Sequence, residues 1–178
     1  MTVKKEFWAL LLIFILPIGL GTLFFYMNPG YFSQSTVNYG ELIRPVITTD
    51  QADIEIDGEG SLDGVWTFAY VSSTCDSACE QAVEDVKTIR TLINMDMRRI
   101  QRMLVTADGS SPTSLDSELL LAKIKTNKLI EQLAKFPNGS IFLIDPIGNF
   151  MLYYNPIDIN IKLVLKDLKR LLKYSRIG

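Results

Sequence analysis

A chain of 178 residues, 48% hydrophobic and 21% charged, is long enough for one ordinary domain with an appendage and too apolar for disorder. Its net charge of −2, with no run of like charge, gives no footprint for nucleic acid, and two cysteines are too few for a disulfide scaffold. With no histidine there is no Ser-His-Asp triad, and no glycine-rich phosphate loop occurs.

Residues 1–6 read as a short cytoplasmic tail. From Phe7 to Met27 no charge interrupts "FWALLLIFILPIGLGTLFFYM", about the 20 residues a helix needs to cross a hydrocarbon layer. The stretch is longer than the apolar part of a signal peptide, roughly 7 to 15 residues, and no small-x-small cleavage site follows it, so 7–27 is expected to be a retained transmembrane helix. Lys4 and Lys5 precede the span and "NPGYFSQSTVNYGEL" after it has no Lys or Arg, which leaves the amino terminus in the cytoplasm and the rest outside. In a bacterium that means an inner-membrane anchor and a periplasmic domain, in a compartment where cysteines pair or meet a soft metal.

Residues 28–60, rich in Gly, Pro, Asn, Ser and Thr, read as a linker with one edge strand near Leu42 to Ile47. The folded domain is expected over 61–178. "VWTFAYVS", Val65 to Ser72, is short, β-branched and aromatic, as suits a strand buried on both faces. Cys79, Ala82, Val86, Ile89 and Ile93 then recur at helical spacing, predicting an amphipathic helix from Asp76 to Met95 with Cys79 on its core-facing stripe. "IQRMLVTA" is a second strand, and 111–136 is expected to be a second helix capped by Thr113 or Ser114. "SIFLID" and "FMLYYN" flank "PIGN" as a hairpin, and Asp158 is expected to cap a last helix with Ile161, Leu165, Leu168 and Leu172 inward and Lys162, Lys166, Lys169 and Lys173 in solvent. This order of elements is that of an α/β, thioredoxin-like domain, a mixed sheet with flanking helices.

Cys75 and Cys79 stand where the first core strand runs into its helix. There a cysteine can meet the N–H groups and positive dipole end that stabilise a thiolate, so Cys75 is the expected reactive sulfur. Cys79, one turn on, could resolve a mixed disulfide or share a soft metal. Asp76 and Glu80 oppose ionisation of Cys75. A redox couple, a metal clamp and a structural staple all remain open on the residues alone.

"GVWTFAYVSSTCDSAC", "MLVTADGSSPTSL" and "SIFLIDPIGNFMLYY" resemble motifs of the Sco/SenC family of membrane-anchored, thioredoxin-fold proteins involved in cytochrome c oxidase assembly. The resemblance covers roughly residues 60 to 175 and places Cys75 and Cys79 at that family's two redox or metal-binding cysteines. It implies catalytic and metal-ligating roles for this pair, Cu(I) as the cofactor if there is one, and the copper-site subunit of the oxidase as partner. The family's copper-binding histidine has no counterpart in "KFPNGSIFLIDP", and Asp76 stands where the family has proline after the first cysteine. Met95, Met97 and Met103 are expected at a helix end and in the core, Asp108 and Asp145 in turns, and Trp66 in the core. The function expected is an assembly factor acting by thiol–disulfide chemistry or two-cysteine Cu(I) transfer. The alternatives are a general periplasmic thiol–disulfide oxidoreductase and a non-catalytic binding domain with a structural disulfide.

Overall fold

The computed structural model describes residues 3–28, 37–50, 52–58, 60–113 and 116–175. The chain divides into two compact units, Met1–Val37 and Asn38–Gly178. In the first, α1 (Val3–Met27) has Pro17 inside it and is apolar over Lys4–Met27, long enough to cross a membrane. The Thr22 hydroxyl donates to the carbonyl of Ile18 along the same helix.

The second unit is built on one seven-stranded sheet. Its strands are β1 (Glu41–Thr48), β2 (Ile54–Ile56), β3 (Trp66–Ser72), β4 (Ile100–Thr106), β5 (Leu119–Ile124), β6 (Ser140–Ile144) and β7 (Asn149–Tyr154), in the order β1-β7-β6-β3-β4-β5-β2. Strands β3, β4 and β5 are parallel, while β6, β7, β1 and β2 join by antiparallel pairs. The helices are α2 (Ser77–Leu92), α3 (Asn127–Leu133) and α4 (Ile161–Tyr174). The fold is therefore thioredoxin-like, a mixed sheet with flanking helices.

Alternation along the strands splits the core in two. Trp66, Phe68 and Tyr70 point to one face, where they pack with Cys79, Ala82, Val86 and Ile89 of α2 and Val164, Leu168 and Leu172 of α4. Ala69, Met103, Val105, Phe142 and Ile144 point to the other, against Leu129 and Leu133 of α3. Burying β3 on both faces explains its continuous apolar run, and each fully buried Phe or Leu contributes about 2 kcal/mol of hydrophobic stabilisation.

Several expectations are corrected. Residues 111–136 do not form one helix: Leu119–Ile124 is β5, paired with β4, and only Asn127–Leu133 is helical. The run "LLLA" is a strand covered on both faces, a pattern that periodicity alone cannot separate from a buried helix. Thr113 caps nothing there and instead donates its N–H and hydroxyl to Glu80, while Ser114 lies outside the described residues. Strand β2 arises within the stretch read as a linker and closes the edge beyond β5. The β6–β7 hairpin forms as expected and lies inside the sheet, because β6 pairs with β3 and β1 covers β7. Asn160, not Asp158, caps α4, because Pro156–Asp158 is spent on a 3-10 turn. Asp167 of α4 is buried among the apolar residues, a position that helical periodicity did not single out.

A disulfide at the end of the central strand

Cys75 and Cys79 are joined in a disulfide across the turn from β3 into α2. Cys79 is fully buried on the inner stripe of α2, whereas Cys75 is half-buried and packs at the edge of the same core cluster. Between them Asp76 caps the helix, its Oδ1 accepting from the N–H groups of Ala78 at 3.0 Å and Cys79 at 3.1 Å. A short polar side chain in this position satisfies amides that the first helical turn leaves without partners.

Two loops from distant sequence flank the turn. On one side the chain leaving β4 continues the sheet bonding, with the N–H groups of Ala107 and Asp108 donating to Ser72 and Ser73 carbonyls. Ser110 of this loop accepts the Cys75 N–H at 2.6 Å and donates its own hydroxyl to Asp108 at 2.6 Å. Those bonds from Ser110 hold the Asp108 carboxyl below its usual range, and Thr113 does the same for Glu80. On the other side the loop before β6 brings Asn138 to the turn, its Oδ1 accepting from the Ser73 N–H at 2.8 Å and from the Ser72 hydroxyl. Gly139 of that loop, at φ +81°, donates to the Val71 carbonyl and lies so close to the Tyr70 hydroxyl that a side chain would collide with it. Burial, with a smaller push from the Asp76 charge, raises the Tyr70 phenol above its usual range.

Other residues singled out in the sequence lie elsewhere. Met103 is buried on the opposite face of the sheet, and Met95 and Met97 sit beyond the far end of α2, about 24 Å of helix away from the cysteine turn. Asp145 shapes the β6–β7 turn by accepting from the N–H groups of Ile147 and Asn149, and Trp66 is core. Among the described residues no group of three or more His, Cys, Asp or Glu side chains could hold a metal ion. The donors at the turn are thus two sulfurs, which fit a soft two-coordinate ion once the disulfide is reduced and do not make a three-ligand site.

Ser110 and Asn138 were not foreseen as parts of the site. The turn signals "DGSSP" and "PNG" marked loops, but only the pairing of β3 with β4 and β6 carries those loops to the cysteines.

A model of the transmembrane-like, thioredoxin-like, C-terminal domain matches residues 66–175. The chain is also similar in fold to solved structures of low sequence identity. The apo Sco1 protein of Thermus thermophilus is 15% identical at a TM-score of 0.52, covering 78% of this chain and 99% of its own. Yeast Sco1 with copper bound is 13% identical at 0.50, covering 64% and 82%. BsSco, described with a disulfide switch as a member of the Sco family of cytochrome c oxidase assembly proteins, is 14% identical at 0.50, covering 80% and 99%. No curated protein matches the chain.

Proposed function

The chain belongs to the transmembrane-like, thioredoxin-like C-terminal domain family, and from that premise we propose that it is a membrane-anchored, Sco-like assembly factor for cytochrome c oxidase, working by thiol–disulfide exchange through Cys75 and Cys79. The observation that carries this reading is the Cys75–Cys79 disulfide at the end of β3, with Cys75 half-buried at the rim of the core and Cys79 sealed within it. A buried staple needs no surface member, whereas an exchanging pair needs one sulfur that a partner can reach and one that it cannot. The fold relationship to Sco proteins supports the choice of oxidase assembly as the process. α1 holds the domain to the membrane, with residues 1–6 in the cytoplasm and the cysteine domain in the periplasm.

In the reduced protein Cys75 attacks a partner disulfide as the thiolate, forming a mixed disulfide and releasing one partner thiolate. Cys79 then attacks the Cys75 sulfur, restoring the internal disulfide and releasing the second partner thiol. Two electrons pass to the partner, and the two protons of the reduced pair balance its new thiols. Copper enters as cargo: the reduced pair offers Cu(I) two thiolates.

Cys79→Ser in the full-length chain is expected to accumulate a mixed disulfide through Cys75, detected as a mass increase removed by reductant, while Cys75→Ser accumulates none. Cells carrying both serines are expected to lose oxidase copper-site assembly. Unimpaired assembly in that double variant would sink the proposal and leave the disulfide as a staple. Cu(I) competition on the reduced chain separates the two routes: one-to-one binding abolished by Cys75→Ser adds transfer of the ion, and no binding leaves exchange alone.

A further inference from the structure

A thiolate at the end of a strand that enters a helix is stabilised by N–H groups it can accept from and by nearby positive charge. The N–H groups are withheld from Cys75, and its own turn carries no positive charge. The N–H groups of Ala78 and Cys79 are taken by the Asp76 carboxylate, and the N–H of Cys75 itself is taken by Ser110, which leans on Asp108. Each competing acceptor is an oxygen, and two of the three acidic side chains placed at this turn, Asp76 and Asp108, belong to these bonds, while Glu80 is the third. Neither 72–86 nor 103–122 contains a lysine or arginine. The cation beyond this tract, Lys123, lies against Gly109, and Lys87 is engaged with Glu84 and Asp116.

Resting on the exchange reading above, we infer that Asp76, seconded by the Ser110–Asp108 pair, is a positioning residue that makes the cysteine pair a reductant of a partner disulfide rather than an oxidant of partner thiols. Asp76 acts through Cys75 by occupying its amide donors and setting a negative charge beside the developing thiolate. The dithiol form is thereby raised relative to the disulfide, and the equilibrium of the pair against another dithiol lies toward the internal disulfide. The substrate class is a disulfide: its S–S bond breaks, the Cys75–Cys79 bond forms, and two electrons move from this chain to the partner. A dithiol donor of lower potential returns the pair to its working form.

The test compares the thiol–disulfide equilibrium of full-length wild-type chain, Asp76→Asn, Asp76→Ser and Ser110→Ala in detergent against dithiothreitol redox buffers, with free thiols counted by maleimide mass shift. Asn and Ser cap helices about as well as Asp, so both variants keep the turn and remove only the charge. Each is expected to shift the equilibrium toward the dithiol by roughly fivefold, where tenfold corresponds to about 30 mV. Ser110→Ala is expected to shift it in the same direction by about twofold. Raising salt from about 10 mM to about 1 M should narrow the gap between wild type and Asp76→Asn, which a purely structural role of Asp76 would not produce. Wild type and both Asp76 variants cycling with coincident equilibria would overturn the inference and leave the proposed function intact. Reduced wild type and variants that all fail to close the disulfide in excess oxidised dithiothreitol would instead overturn the exchange reading, and this inference with it.

Discussion

Asp167 and Asp76 make the same bonds in opposite surroundings. Each carboxylate accepts from two consecutive backbone amides: Asp167 from Tyr39 and Gly40, at 3.1 and 2.9 Å, and Asp76 from Ala78 and Cys79. Asp167 is only 2% exposed and also faces the buried Tyr154 hydroxyl, whose phenol is raised above its usual range by burial and then by that carboxylate. Asp76 is exposed at the helix start. The first ties the beginning of the domain to its last helix across 128 positions of sequence; the second satisfies neighbours two and three residues away. A buried carboxylate holding distant amides contributes mainly to stability, whereas an exposed one at a helix start contributes little to it, and on the proposed exchange its weight falls on the sulfur beside it.

The widest separation between the two is expected on truncation. Asp167→Ala leaves two backbone amides and the Tyr154 hydroxyl short of their acceptor, so chemical denaturation should show a loss of about 3 kcal/mol. The folded fraction should keep the wild-type thiol–disulfide equilibrium, and a change in that equilibrium would break the contrast. In stability Asp76→Ala loses the cap alone, and its expected cost is about 1 kcal/mol.

Asp116 sharpens the comparison as an intermediate case. The Glu118 N–H and then the Arg102 guanidinium hold its carboxyl down at about 2. Because the folded value lies below the ordinary carboxylate value, the stabilisation is complete above pH 4 or so and is lost as pH falls toward 2. Acid titration of Asp116→Asn should therefore lack that part of the wild-type decline, on the order of 1 kcal/mol after allowance for solvent, and should cost a similar amount at neutral pH. The smallest effect is expected at the solvent face of α4, where Lys166→Gln should change stability by no more than about 0.5 kcal/mol.

Arg102 shows how far such networks reach into the core. It is 1% exposed, and its Nη2 bonds Asp116 at 2.8 Å, while its Nε and Nη1 have no hydrogen-bond partner among the described residues. Arg90 bridges the same region, donating to the Ile100 carbonyl and to Glu118. Nothing in the strand pattern of "IQRMLVTA" marks Arg102 as buried. Its position follows from β4 lying inside the sheet between β3 and β5, on the face that α2 covers, which leaves its charge to be met from the loop at Asp116.

Local patterns were legible where they could be satisfied locally. The continuous apolar run of β3, the three-and-four spacing through α2 and the charge-free run of α1 each state their element within one window, and the cysteine turn follows from the first two. The identity of β5 was not legible, since "LLLA" suits a buried helix as well as a strand and becomes a strand because β4 offers it hydrogen-bond partners. The same holds for β2, three residues long, which exists only as a partner for β5.

Sequence alone thus determined the apolar span, the order of most core elements and the placing of Cys75 and Cys79 at a strand-to-helix turn. Those features depend on side-chain periodicity and on neighbours a few residues apart. Only the tertiary structure decided which groups surround that turn. Ser110 reaches Cys75 from 35 positions away and Asn138 reaches Ser73 from 65, because strand register carries their loops there. Periodicity says which way a side chain faces, and the sheet decides what it faces.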